Sequence, residues 1–361
     1  MKKSLIWKFS LLGLTLLLSF VFLIPNMPFY GSLPKWWKEA MPEKAITLGL
    51  DLQGGIHLVF EVEAEKAAET TTARIAASVE EILQKKQFKA DVKTEGPVIL
   101  VSQNTMEIRK AIEDDYPILE AIDSPSAPLA YRLSGKEAKR IMDSAADQAL
   151  ETIRNRIDQF GVAEPTIQRQ GANEIVVQLP GIKEPKRAIE LIGKTALLEF
   201  KLVDDQPPVA AEFPSYIRPS EEEDFLKKFG PKIPADDEIL FQRTVDKETG
   251  AVKKLPYLVK KKALLTGELL SDARVNIDQR MNEPNVSITF NPAGAKLFED
   301  ITGEYTQKRL AIILDNNLYS APVIKERIGG GNAQITGNFT MQDAKDLAIV
   351  LKAGALPAPL K

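Results

Sequence analysis

The chain has 361 residues, enough for two or three compact units, and its 44% hydrophobic and 27% charged composition is that of globular protein. A net charge of −3 supplies no basic field for nucleic acid or an anionic membrane surface, which excludes a nucleic-acid role. The absence of cysteine excludes thiol catalysis, disulfides and thiolate-bound metal, and the single histidine, His57, cannot build a histidine-rich metal site.

Lys2, Lys3 and Lys8 precede an uncharged run from Phe9 to Ile24. Counted from Leu5, twenty helical residues reach about 30 Å, the depth of a bilayer core. Trp7 at one end and Phe29, Tyr30, Trp36 and Trp37 beyond the other supply the amphipathic rings that favour an interface. Ile24-Pro25-Asn26-Met27-Pro28 offers no small-x-small cleavage site, so residues 1–28 are read as a retained signal-anchor rather than a cleaved leader. The basic end then stays in the cytoplasm and the rest of the chain lies outside.

Ile56, Leu58, Phe60 and Val62 alternate as in a half-buried strand, and a helix is expected from about Ala64 to Lys86. Strands near 88–94 and 97–102 lead to Asn104-Thr-Met-Glu107, read as an N-cap with its glutamate; this small α+β segment ends near Leu133. Ser134-Gly-Lys-Glu137 is a capping box. Ile141, Ala145, Ala149, Ile153, Ile157 and Phe160 then recur at helical spacing and predict a helix of about 26 residues stopped by Gly161. Strands 165–170 and 174–179 flank Gly171-Ala172-Asn173, a hairpin turn. A helix over 184–192 and a strand over 196–203 complete strand, helix, hairpin, helix, strand, the order of a ferredoxin-like split βαβ unit.

Six prolines between Asp204 and Pro234, with the acidic run Glu221–Asp224, read as an exposed, mobile connection or hinge. Residues 238–244 and 251–260 form a polar hairpin, and 286–290 is a strand. Asn291-Pro292 starts a helix to about Lys308, 310–314 is a buried strand, and Thr340-Met-Gln-Asp343 caps a last helix closed by Gly354.

No catalytic constellation emerges. Gly193-Lys194-Thr195 ends like a phosphate loop, but Ala188 stands where the required glycine would be, and the segment joins helix to strand in the wrong order. Gly329-Gly330-Gly331 reads as a bulge or turn. His57 lies on the strand face opposite Phe60 with no nucleophile motif nearby. Asp51, ahead of Gln53-Gly54-Gly55, orders a turn. Glu221–Asp224 lacks calcium-loop spacing and reads as a solvated charge patch. No cofactor, no metal site and no enzymatic activity are expected.

Four separated segments resemble the SecD family of Sec protein-export accessory subunits. They are Leu48-Gly-Leu-Asp-Leu-Gln-Gly-Gly55; Arg156-Ile-Asp-Gln-Phe-Gly-Val-Ala-Glu-Pro165 continuing to Val177-Gln-Leu-Pro-Gly181; Ala311-Ile-Ile-Leu-Asp-Asn-Asn-Leu-Tyr-Ser-Ala-Pro322; and Leu351-Lys-Ala-Gly-Ala-Leu-Pro-Ala-Pro-Leu360. The resemblance implies an α+β chain: one N-terminal transmembrane helix, then a periplasmic ferredoxin-like base (45–195 plus 338–361, with 64–133 an extra α+β segment) carrying an inserted α+β head, 196–337. It implies partnership with SecF and the SecYEG channel in the bacterial inner membrane, and capture of unfolded exported polypeptides with energy from the proton motive force. Asp51, Gln53, Gly54, Gly55, Gly161, Pro165, Asp315, Ser320 and Pro322 are the expected motif and structural residues. Phe225, Phe241 and Leu318 are the expected substrate contacts. The family continues into five more spans that carry the proton pathway, whereas this sequence stops at Lys361, so either the chain is truncated or the gene is split and no proton-relay residue is assigned. The alternative reading is a docking or assembly module of the resistance–nodulation–division transporter type; an anchored hydrolase lacks a nucleophile–base pair.

Overall fold

The computed structural model describes residues 2–24, 30, 34–36, 54–122, 128–162, 164–182, 184–206, 208–245, 250–278, 282–337 and 339–361. They fall into two units, one comprising Met1–His57, Val162–Thr166 and Gln178–Lys183, the other Leu58–Gly161, Ile167–Val177 and Glu184–Lys361.

In the first unit, helix α1 (Lys2–Leu23) carries a 19-residue stretch, Leu5–Leu23, with a mean hydropathy of 2.0 and none of it buried. It is long and apolar enough to cross a bilayer, which would cover the leucine and phenylalanine side chains left bare along its length. Strand β1 (Gly55–Glu61) begins in this unit, where Gly54 O accepts from Gly181 N at 2.9 Å.

The second unit opens with an α+β layer. Helix α2 (Ala64–Lys85), strands β2 (Val92–Glu95) and β3 (Val98–Val101), helix α3 (Met106–Asp115) and strands β4 (Leu119–Ile122) and β5 (Leu129–Leu133) enclose Val79, Leu83, Ile99, Ile108, Ile112 and Tyr131, with sheet order β2-β3-β5-β4. The cap of α3 is Thr105 rather than Asn104: its Oγ1 accepts from Ile108 N at 3.3 Å, the register that turns Ile108, Ala111 and Ile112 inward.

Helix α4 (Gly135–Phe160) has the expected 26 residues and ends at Gly161, whose φ of +82° is the left-handed geometry glycine adopts without strain. Its capping box is half formed. Ser134 Oγ accepts from Glu137 N at 3.3 Å, but the Glu137 carboxylate turns to Arg140 Nε at 2.9 Å. Strands β6 (Thr166–Gln170) and β7 (Glu174–Pro180) join β1 in the order β1-β7-β6.

The strand beside β1 departs from expectation. After helix α5 (Pro185–Gly193), strand β8 (Leu198–Leu202) leaves for a different sheet, and the chain's last residues take its place. Glu61 and Lys361 exchange backbone hydrogen bonds at 2.9 Å, Val62 bridges Leu360, and Glu63 N donates to Pro359 O at 3.0 Å. The cause lies in the partner of β8, Leu310–Leu314, a strand buried at every position. It requires neighbours on its edges and cover on both faces, and β8 supplies one of those edges.

The proline-rich stretch is folded, which corrects its reading as a mobile connection. Helix α6 (Pro208–Ala211) and a 3₁₀ turn at Pro219–Glu221 each start on a proline, where the missing N–H costs nothing, and helix α7 (Glu222–Phe229) continues directly from that turn. The acidic run provides the first turn of α7, where its charge favours the helix dipole. Strands β9 (Asp237–Val245) and β10 (Val252–Lys260) form the expected antiparallel hairpin.

Strand β11 (Leu265–Thr266) precedes β12 (Leu270–Ile277), which the sequence reading missed. Strand β13 (Pro284–Phe290) leads into helix α8 (Pro292–Glu304), capped by Asn291 and four residues shorter than expected. Strands β14 (Leu310–Leu314), β15 (Asn317–Ser320) and β16 (Asn332–Ile335) and helix α9 (Met341–Ala353) follow. The large sheet runs β10-β9-β15-β14-β8-β11 and curls until Val203, just past β8, bridges Val259 on β10. The β12-β13-β16 sheet shares a core with β8 and β14 that contains Phe200, Phe290 and Phe298, with α9 packed on it.

Gly331 is where the triple glycine is needed. Its φ is +67°, its carbonyl accepts from Phe290 N at 2.8 Å, and an added Cβ would lie 2.5 Å from Ala295 Cβ. Gly331→Ala is expected to destabilise the protein by about 2 kcal/mol in urea denaturation. Gly329→Ala, whose Cβ would meet nothing closer than 4.0 Å, is expected to leave the midpoint within about 0.5 kcal/mol.

Candidate functional site

Arg156 lies on the inward face of α4, one turn beyond Thr152 and Ile153, and is wholly buried. Its guanidinium meets carbonyls rather than a carboxylate. Nη1 donates to Leu191 O at 3.2 Å, Ile192 O at 2.7 Å and Lys194 O, while Nη2 donates to Thr195 O at 3.5 Å and Gly354 O at 3.0 Å. All but Thr195, which lies just past α5, are carbonyls at the C-terminal ends of α5 and α9, which carry partial negative charge. Burial lowers the Arg156 pKa to about 10, with the Asp315 carboxylate acting in the opposite sense.

Asp315 holds the other side of the same turn. Its Oδ2 accepts from Ala196 N at 3.1 Å and its Oδ1 from Leu197 N at 2.9 Å. It can do so because Asp315 and Asn316, with φ of +49° and +62°, form a two-residue turn between β14 and β15 of the tight type that twisted hairpins favour. Leu356 N donates to Thr195 O at 2.8 Å. The turn 194–197 is thus gripped by residues from three of the four motif segments, and the stretch that resembled a phosphate loop offers carbonyls to a cation instead of amides to an anion.

Phe225, Phe241 and Leu318 are brought into one neighbourhood, but only Phe241 reaches a groove. Phe225 is 6% exposed, packed edge-on to Phe213 and Phe241 and tilted against Phe229 at ring separations from 4.7 to 5.7 Å, and Leu318 is 2% exposed beneath the curled sheet. Both are core side chains here and not the surface contacts expected of them, because the proline-rich segment folds over β9 and β10 and the sheet curls over Leu318. Phe241 is half-buried and lines a groove of about 390 Å³ with Pro219, Glu222, Arg243, Val252, Lys254 and Asn317. Lys254 pairs with Glu222 and stands 5.6 Å from the Phe241 ring centroid. Alternate residues of β9 and β10 line this groove, so it lies on the face of the hairpin.

A second groove, of about 450 Å³, lies among Phe160 at the end of α4, Arg187 on α5, Ala273-Arg274-Val275 on β12, and Lys345, Ala348, Ile349 and Lys352 on α9. Arg187 stacks over Phe160 at 5.0 Å and pairs with Asp346 at 2.8 Å.

The remaining motif residues are local. Asp51 and Gln53 lie outside the described residues. Gly54 and Gly55 have φ of +71° and +147°, and Pro165 leads into β6. Ser320 is buried at the end of β15, and the Pro322 carbonyl accepts from Leu310 N at 2.9 Å. His57 is exposed with Nδ1 3.1 Å from Gln178 Nε2. Among the described residues no group of three or more histidine, aspartate and glutamate side chains is placed to hold a metal ion. Arg156 was passed over as a site residue, although an arginine within an apolar helical stripe was its visible signal.

These features define a chain with an N-terminal membrane-length helix and an α+β body whose shaped surfaces are grooves, the form of a binding or assembly protein. A family model described as SecDF, P1 head subdomain, matches residues 240–358, and one described as protein translocase subunit SecDF, P1 domain, N-terminal, matches 146–205. Curated relatives named protein translocase subunit SecD include one from Calditerrivibrio nitroreducens, 46% identical over 88% of this chain and 60% of its own length. Another, from Syntrophobacter fumaroxidans, is 41% identical over 98% of this chain and 65% of its own length. A solved SecDF described as a super-membrane-facing form aligns at 29% identity with a TM-score of 0.49, covering 96% of this chain and 34% of that one. The chain belongs to the SecD family of protein translocase subunits and spans about three-fifths of the length of these curated relatives.

Arg156→Met is expected to destabilise the protein by about 3 kcal/mol by orphaning several buried carbonyls. Arg156→Lys is expected to recover less than half of that loss, since one ammonium cannot span acceptors on two helix ends; equal stability of the lysine variant and the parent in urea titration would refute the fork geometry.

Proposed function

We propose that this chain is the anchored, extracytoplasmic part of a Sec export subunit, and that its body holds an unfolded polypeptide as it leaves the channel. The anchor lies in the bacterial inner membrane with its N-terminus in the cytoplasm; SecF and the SecYEG channel are the partners, and the proton motive force is the energy source. Residues 45–195 with 338–361 act as a base and 196–337 as a head that moves on it, so that a held chain is discouraged from sliding back.

The observation that carries this reading is the Phe241 groove. An apolar wall at Phe241 backed by three further packed phenylalanines, with Arg243, the Lys254–Glu222 pair and the amides of Asn316 and Asn317 at its rim, suits sequence-tolerant contact with a passing chain. Membership of the SecD family supports the same reading. The turn at 194–197, gripped by Arg156 and Asp315, supports drawing the boundary between base and head near residue 196.

Site-specific photocrosslinkers at Phe241 and Val252, in membranes containing the Sec channel and a preprotein stalled midway, are expected to capture the preprotein. The same probe at buried Phe225 is expected to give at most about a tenth of that yield. Efficient stalling with no capture from either groove position would overturn the reading. Saturable binding of small apolar molecules, with indifference to unfolded chains, would favour the transporter-type docking module instead.

A further inference from the structure

Resting on the reading that the body meets unfolded polypeptide, we propose that the outer edge of β12 is a strand-addition site, where an extended segment bearing a carboxylate pairs as a new strand of the β12-β13-β16 sheet. Strand β12 ends that sheet, and among the described residues no backbone hydrogen bond reaches Ser271–Ile277 from any element other than β13; Ile277 N donates to Asn276 Oδ1 at 2.9 Å and Ala273 is buried, so the open stretch is Arg274–Asn276. A row of unpaired N–H and C=O groups is a template for another chain.

The groove beside it points the same way. Side chains of a strand alternate between faces, so a groove on a face collects every second residue, as at Phe241 and Arg243 or Val252 and Lys254. Here Ala273, Arg274 and Val275 line the groove consecutively, which places it along the edge. The opposite wall of Phe160, Ala348 and Ile349 gives alternate side chains of an added strand an apolar surface, the two-part recognition typical of strand addition.

Charge selects the occupant. Arg187, Arg274, Lys345 and Lys352 line the groove and no carboxylate does. Arg274 and Lys352 share Asp272, at 2.5 and 3.8 Å, while Lys345 has no ion pair among the described residues. The positive surplus favours an acidic side chain, and the open backbone favours a polypeptide over a small anion, which could not pair along a strand.

The test uses the whole chain in lipid nanodiscs and a peptide of about ten residues, alternating valine and threonine with glutamate at each end. Bound peptide is expected to slow amide hydrogen exchange in residues 271–277. Methylating alternate peptide nitrogens keeps the side chains and removes donors, and is expected to weaken binding at least about tenfold. Arg274→Glu, at an exposed position, is expected to weaken binding about fivefold, less so at high salt. Undiminished binding of the methylated peptide, or protection confined to other strands, would overturn the edge site while leaving polypeptide capture standing. No binding of this or any unfolded chain would overturn both.

Discussion

One buried guanidinium sets what the rest of the second unit can do. Arg156 brings a full charge into the interior without a contacting carboxylate, and desolvation on that scale is tolerable only where the surroundings supply negative potential. The last carbonyls of α5 and of α9 supply it, because neither helix end can satisfy those groups internally. A liability of two helix termini and a liability of one buried cation cancel each other. The cancellation fixes α4, α5 and α9 about one point, and Asp315 extends that point to the β14–β15 turn.

From this node the two sheets take their places. The turn at 194–197 delivers β8 to β14, where a strand apolar at every position must be flanked and covered. With β8 committed there, the edge of β1 is left to Pro359–Lys361, which follow the α9 terminus held by Arg156. The curl of the six-stranded sheet then encloses Leu240, Val259, Ile313 and Leu318, and the helices of the proline-rich segment close over its outer hairpin with a cluster of phenylalanines. The Phe241 groove is the remaining gap between those helices and the hairpin face.

The two grooves differ in kind, and the difference follows from sheet geometry. The face groove offers alternate side chains of the β9–β10 hairpin around Phe241, so it can grip apolar groups without regard to their order. The edge groove offers backbone, a short apolar wall and cations. A protein that handles many sequences has use for both, since backbone groups are common to every chain and apolar side chains to almost all.

The sequence by itself determined the elements whose signals are local. The membrane-length helix, the 26 residues of α4 with its Ser134 cap and Gly161 stop, the β6–β7 and β9–β10 hairpins, and the Asn291 and Thr340 caps all rest on contacts within a few residues, which composition and spacing record directly. Strand β12 escaped because its polar, alternating residues resemble a loop until β13 and α9 cover one face. The destination of β8, the closing strand beside β1, the folding of the proline-rich segment and the burial of Phe225 were decided only in the tertiary structure. Each depends on competition between distant segments for the same edge or the same apolar face, and that competition leaves no mark in local periodicity. Arg156 belongs to both orders: the sequence places it in an apolar helical stripe, but which carbonyls neutralise it is settled only when α5 and α9 arrive.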